Sequence, residues 1–518
     1  MSVLLATGSQ AFAQSNRDFR AEFDAFKKQS KREYTDFRKK CLMDYTEFVR
    51  KAWKEFGAEP PVPLPKEEMV EPVLVPQADA QTNSWFSKLF GRKKKKDEKR
   101  DSVDQQKPKE YQHKNEQLSF AKVVEPIPQQ PQPQPLAKVE EQPEKANDYY
   151  AFSVFGTPCK VRIGENCKVG LKSLDNNDVA DAIQEYTKSQ FDNLLYDCLQ
   201  ERERHHFSDW AYYQMLLTLT NQYFGKHTNE ATLALAFLYS QSGYKMRLAQ
   251  DGNSLYMLMA SRFFIYDKSF FYIGGQWYYL LDGRSADRLK ICEAAFPKES
   301  SLSLQITAQQ QLEAVTSVER TITSQPNEDF SFTIKLNKNY MDFYETYPSS
   351  CIDQNFMTRW AIYAETPLEK NLTDQLYPQM RQKLEGLSKL DAVQQLLWWV
   401  QTGFEYKFDE EVWGYDRPFF GEESLFYPYC DCEDRSILLS HLVRELVGLD
   451  VVLVYYPGHL AMAVNFDTDV EGDYIMLDGR KFIVCDPTYI FSQVGQTMPE
   501  MSNESATVIL LNKEQAKI

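Results

Sequence analysis

The stretch that decides the fold is Cys430-Asp431-Cys432-Glu433-Asp434-Arg435-Ser436-Ile437-Leu438-Leu439-Ser440-His441-Leu442-Val443-Arg444-Glu445-Leu446-Val447, closed by Gly448. Its polar first turn carries a cysteine. The run Ile437, Leu438, Leu439, Leu442, Val443, Leu446 and Val447 then covers most of a helix surface with apolar side chains. This predicts a buried helix over Ser436–Val447 with Cys432 at its open end. A helix N-terminus supplies unpaired N–H groups and roughly half a positive charge, both of which favour a thiolate.

Downstream, Val451-Val452-Leu453-Val454 reads as a strand, followed by Tyr455-Tyr456-Pro457-Gly458-His459 and a second strand over Ala461–Phe466. Tyr474–Leu477 and Lys481–Val484 follow, joined by the hairpin signal Asp478-Gly479 and ending at Cys485-Asp486-Pro487-Thr488. Cys432, His459 and Asp486 thus stand in an order that suits a nucleophile, a base and an orienting carboxylate. The Cys432 backbone N–H is a natural oxyanion donor. Trp413, Tyr415 and Gln401 are upstream candidates for a second donor, Trp413 first among them. Each residue also has a plain reading: a core thiol, a turn histidine and a strand-ending Asp-Pro turn.

These motifs resemble the transglutaminase-like superfamily of papain-type thiol enzymes, exported bacterial type. The resemblance spans about Leu390 to Tyr489. It implies a helix packed on an antiparallel sheet and acyl transfer through a thioester, with Cys432 as nucleophile, His459 as base and acid, and Asp486 as orienter. The family usually has Gly two residues before the nucleophile, whereas this chain has Cys430. Cys430 is a candidate resolving thiol, a disulfide partner of Cys432 or a metal contact. A zinc site from Cys430, Cys432, Cys485 and His459 lacks the usual ligand spacing, so neither metal nor cofactor is expected.

A similar plan precedes it. An apolar helix over Ala231–Tyr239 leads to strands at Tyr256–Ala260, Phe271–Ile273 and Trp277–Leu281, the last two joined by Gly274-Gly275. Gly243 and Gly448 are 205 residues apart, Gly275 and Gly479 204, and Asp282 and Asp486 204. We expect an internal duplication. The offset sets His227 against Cys432 and Ser254 against His459, so the first copy keeps the carboxylate but not the nucleophile and base.

The N-terminal region differs in kind. Phe23, Tyr34, Tyr45 and Phe56 repeat every 11 residues, with Phe26, Phe37 and Phe48 in a second phase. This predicts a long amphipathic helix that needs a partner, a second copy or the rest of this chain to cover its stripe. A Pro-, Gln- and Lys-rich stretch follows, read as disordered linker. It holds Trp85–Phe90 and the basic run Arg92–Lys96, a candidate contact for anionic lipid.

The expected organisation is a signal peptide (1–13, ending Ala11-Phe12-Ala13), the aromatic helix (14–57), the linker (58–148), a degenerate copy (149–300), a connector with a strand at Phe330–Leu336 (301–365) and the catalytic domain (366–518). The class is α+β. The 518 residues carry a net charge of -15, which argues against nucleic acid as a partner, and no apolar run is long enough to span a membrane. Nine cysteines, an odd number, do not suit a dense disulfide framework. The expected activity is thiol-dependent hydrolysis or transfer at peptide amides, with a peptide or peptidoglycan-stem substrate in the cell envelope. The rival expectation is a non-catalytic envelope scaffold with a relic triad.

Overall fold

The computed structural model describes residues 36–65, 71–75, 116–117, 122–141, 149–186, 191–502 and 504–512, with a few isolated positions before 36. The signal-peptide stretch and the aromatic-basic run 85–96 lie outside them. The protein is a mixed α+β structure built around two sheets, one antiparallel and one antiparallel except for a short parallel strand at each edge.

In the second half, five strands stand in the order Thr507–Leu510, Asp450–Tyr456, His459–Asn465, Arg480–Cys485 and Tyr474–Leu477. Neighbouring strands run antiparallel. In the first half, the order is Arg288–Ile291, Met246–Asp251, Ser254–Ala260, Gln276–Tyr279 and Phe270–Ile273, again antiparallel. Taken in chain order, the two sets follow the same sequence of positions across their sheets. Each also has one helix on its central strand: Asn229–Gln241 on Ser254–Ala260, and Cys432–Leu442 on His459–Asn465. The hairpin signals form in both halves, with positive φ at Gly274, Gly275, Asp478 and Gly479. That backbone matches strand twist at a two-residue connection.

The strands are apolar on both faces because both faces are covered. Leu453, Leu460, Met462, Val464 and Ile483 join the main core under the helices. Val452, Val454, Ala461, Ala463 and Phe482 form a second layer on the opposite face. Leu248, Leu255, Met257 and Met259 likewise join the main core, while Ala249, Leu258, Phe271 and Ile291 form a separate cluster. The main core runs through both halves and through the connector, which supplies Phe330, Phe332, Ile334, Leu336 and Phe343. The expected strand forms at Ser331–Ile334, paired with Arg320–Thr323.

Two expectations need correction. The aromatic helix does not reach residue 57: it ends at residue 49, and Lys54–Gly57 is a strand paired with Arg288–Ile291. Phe56 lies opposite Leu289 and covers the outer face of the first sheet. The helix docks on its own chain: Leu42, Tyr45 and Val49 enter the core and Tyr45 stacks on Phe296 with ring centroids 4.1 Å apart, while Phe37 and Phe48 stay exposed.

The supposed linker is not wholly disordered either. Residues 71–75 pack beside the second sheet, Glu116–Gln117 and Val123–Val124 extend that sheet at opposite edges, and Ile127 and Ala137 are buried. Here the sheet edges and outer faces supply the order that local sequence pattern does not.

Candidate active site

The helix Cys432–Leu442 is fixed at its first turn by polar bonds rather than by its apolar face alone. Asp434 Oδ2 accepts from the Asp431 N–H at 3.2 Å, and Asp434 Oδ1 from the Phe419 N–H at 2.7 Å. Ser436 Oγ donates to the Leu460 carbonyl at 2.8 Å, tying the helix to the strand that begins at His459. Arg435 is almost fully buried and donates to the carbonyls of Gln401 (3.1 Å), Phe404 (3.0 Å) and Pro487 (3.4 Å). One guanidinium thereby joins the Cys432–Leu442 helix, the end of the helix Lys389–Thr402 and the loop after Asp486.

His459 follows a two-residue hairpin, Pro457-Gly458, whose glycine has φ +78°. Proline at the first turn position and a positive-φ glycine at the second set the strand start where it is. Its Nε2 lies 2.9 Å from Asp486 Oδ2, with both side chains fully buried. Asp486 Oδ1 accepts from the N–H groups of Thr488 (2.9 Å) and Tyr489 (3.2 Å). The Asp486 carbonyl accepts from Gln401 Nε2 at 3.0 Å. The carboxylate is thus held on two sides, and it in turn holds the imidazole. His459 Nδ1 has no hydrogen-bond partner among the described residues.

Cys432 and His459 line one cleft of about 890 Å3, with Arg359, Asp409, Asp416, Asp431 and Glu433 on its wall. The Leu460 backbone N–H approaches the Cys432 sulfur, so the residue after His459 lies against the thiol. Cys432 is 1% exposed and His459 1%. Burial pushes the Cys432 thiol well above its ordinary range. Glu433 and Asp431 add to this, and the thiol donates to Glu433 Oε2 at 3.4 Å. This opposes the helix-terminus effect expected from the sequence: burial first, and the neighbouring carboxylates after it, outweigh the helix end.

The acidic wall is itself strained. Burial drives the Asp409 carboxyl up to about 10 and Glu433 to about 6, with neighbouring carboxylates adding to the rise, and Asp431 moves well upward for the same reasons. Arg359 answers part of this charge, 2.6 Å from Asp416 Oδ2 and 3.9 Å from Glu433 Oε1. The carboxylates of Asp409, Asp416 and Glu433 lie within 4.8 Å of one another, as do the ligand atoms of Asp431, Cys432 and Glu433. Those are the residues here that could receive a cation. The thiols of Cys430 and Cys485 do not line the cleft.

The remaining expected residues fall elsewhere. Cys430 is a buried, free thiol that burial drives up to about 11, and Cys432 is equally free, so no disulfide joins them. Trp413 does not line the cleft: its ring packs edge-on to Phe419 and Tyr427, with the Arg417 guanidinium 4.2 Å away over its face. Gln401 supports Asp486 instead of the thiol. Tyr415 does reach the cleft. Sequence reading missed Arg359, Asp409 and Asp416, because these charged residues are scattered over separate short elements and share no periodic signal.

At the corresponding place in the first half, Asp282 Oδ2 is paired with Arg284 at 2.6 Å. Arg284 also donates to the Leu255 carbonyl and lies over Tyr256. In comparisons with known proteins, no family model, no curated protein and no solved structure matches the chain.

Proposed function

We propose that the cleft carries out thiol-dependent acyl transfer on peptide amides, with hydrolysis the favoured outcome. The observation that carries this reading is the buried His459–Asp486 pair, 2.9 Å apart, with His459 and Cys432 lining the same cleft. In this reading Cys432 Sγ attacks the amide carbon while His459 takes the thiol proton. The imidazolium then protonates the departing amine, leaving a thioester. Water attacks the thioester with His459 as base, releasing the acid and restoring the thiol. Asp486 keeps the ring oriented throughout. The Cys432 N–H is the first oxyanion donor in this scheme, and the second donor is open, since Trp413 points into an aromatic cluster. The equal strand order of the two sheets and the residue offsets support two papain-like copies, the first of them degenerate. An exported protein acting on a peptide or peptidoglycan stem fits this chemistry.

A second reading is favoured by one specific observation. A thiol flanked by Asp431 and Glu433 and raised by burial is a poor resting nucleophile, as a relic triad in a non-catalytic scaffold would be. Alkylation of each cysteine by iodoacetamide across pH, read by peptide mass spectrometry on the parent and on His459→Ala, separates the two. Catalysis predicts that Cys432 labelling below pH 8 depends on His459. An ordinary thiol profile, unchanged in His459→Ala, would sink the enzyme reading.

A further inference from the structure

The N-terminal arm is anchored to both halves of the molecule, and it passes the mouth of the Cys432 cleft between those anchors. On the first half, Lys54–Gly57 pairs with Arg288–Ile291. Ala58 N donates to the Asp287 carbonyl (2.7 Å), and Glu59 exchanges two backbone bonds with Phe270 (2.7 and 3.2 Å). On the second half, Val75 N donates to the Ile490 carbonyl and Ile490 N to that of Val73, each at 2.9 Å. Ile490 stands four residues beyond Asp486.

The part next to the cleft is built differently. Its sequence is Pro60-Pro61-Val62-Pro63-Leu64-Pro65, and proline has no N–H to donate. It is held by the Asp267 N–H donating to the Val62 carbonyl at 2.9 Å and by Leu64, half-buried against Phe264, Tyr266 and Cys351. Val62 is 40% exposed. Pro63, Leu64 and Pro65 line the same cavity as Cys432 and His459.

We propose that residues 60–65 are a tethered cover of the Cys432 cleft, and that a peptide reaches the thiol when this segment lifts. The inference rests on the reading of that cleft as the thiol site. Three features combine. The nucleophile and base are each 1% exposed, so a polypeptide cannot reach them in this arrangement. Among the described residues, 60–65 are held by a single backbone bond, at Val62, while the residues just before them pair along a sheet edge, which is how a part of a fold that opens locally is built. Dense proline makes the segment stiff and extended, so it moves as a unit and loses little chain entropy on closing again. The cover therefore holds the thiol shielded until a substrate displaces Leu64 from its seat.

The test uses the full chain with Leu64→Ser, a neutral change that weakens the seat without adding charge beside the acidic wall. Cys432 alkylation is measured with iodoacetamide and with a bulky polyethylene-glycol maleimide, and Cys485, a core thiol of the sheet, reports unfolding. The proposal expects Cys432 labelling to rise about tenfold, the effect of losing a half-buried leucine on a closing equilibrium, and more for the bulky reagent, with Cys485 unchanged. Cys432 labelling that stays level or falls with both reagents would overturn it. Should Leu64→Ser expose Cys485, Leu64→Ala is judged by the same criterion. The outcomes stay distinct from those of the catalytic reading. An ordinary Cys432 pH profile with increased access in Leu64→Ser keeps the cover and discards the catalyst. A His459-dependent profile indifferent to Leu64 does the reverse.

Discussion

At the residue scale, the thiol sits between opposed influences. The helix end and the Leu460 N–H favour the thiolate, while burial, Glu433 and Asp431 oppose it. Glu433→Gln removes the carboxylate that accepts from the thiol but keeps the side-chain shape. We expect the alkylation profile of Cys432 to move toward lower pH, with labelling at pH 7 faster by about tenfold, the worth of one unit of differential interaction. A profile that does not move would show that burial alone holds the thiol up. Arg435 gives a second prediction. Arg435→Met leaves the carbonyls of Gln401, Phe404 and Pro487 without their donor in a buried site, and we expect a loss of about 3–5 kcal/mol, read by chemical denaturation. Cys432, His459 and Asp486 could be singled out in the sequence because each sits at an element boundary that turn and helix signals mark, and the structure brings His459 to Asp486 and sets Cys432 and His459 on one cleft. The acidic wall could not, since Asp409 and Asp416 become neighbours of Glu433 only through tertiary packing.

At the element scale, the helix ending at residue 49 shows what periodicity can and cannot decide. The 11-residue repeat correctly put Tyr45 on an interacting face, and the structure buries it against Phe296. The repeat also carried Phe56 along, yet Phe56 lies in a strand. Pairing with Arg288–Ile291 is a long-range choice that no local pattern encodes. Tyr45→Ala should undock the helix and cost about 3–5 kcal/mol through the cavity it leaves. Tyr45→Phe should be neutral or slightly stabilising, because the buried Tyr45 hydroxyl has no hydrogen-bond partner among the described residues. Phe48→Ala, on the face that stays 53% exposed, should change stability by less than about 0.5 kcal/mol. Thermal melts of the three variants check the order, and equal losses in Tyr45→Ala and Phe48→Ala would contradict the docking described.

At the scale of the whole molecule, the halves are joined by more than apolar contact. Glu422, in the helix Gly421–Phe426, accepts from the Glu369 N–H at 2.5 Å and from the Tyr344 hydroxyl at 3.0 Å. It therefore ties the connector helix Lys338–Glu345 to the second half. Burial pushes its carboxyl from an ordinary 4.5 up to about 7. The folded state thus holds this proton more tightly than the unfolded state. Its contribution to stability is complete below about pH 4.5, declines as pH rises, and is lost once the pH passes about 7. Glu423, also raised to about 7 by burial, acts in the same direction. Glu422→Gln keeps an acceptor for the Glu369 N–H and carries no charge at any pH. It should match the parent near pH 4.5 and exceed it at pH 8 by an amount on the order of 3 kcal/mol, the linkage value of the shift in a fully buried group. Melting curves of both proteins from pH 4.5 to 8 measure this directly. Parallel curves would mean that Glu422 is ionised in the folded state throughout, and that its two donors, not a retained proton, offset its burial.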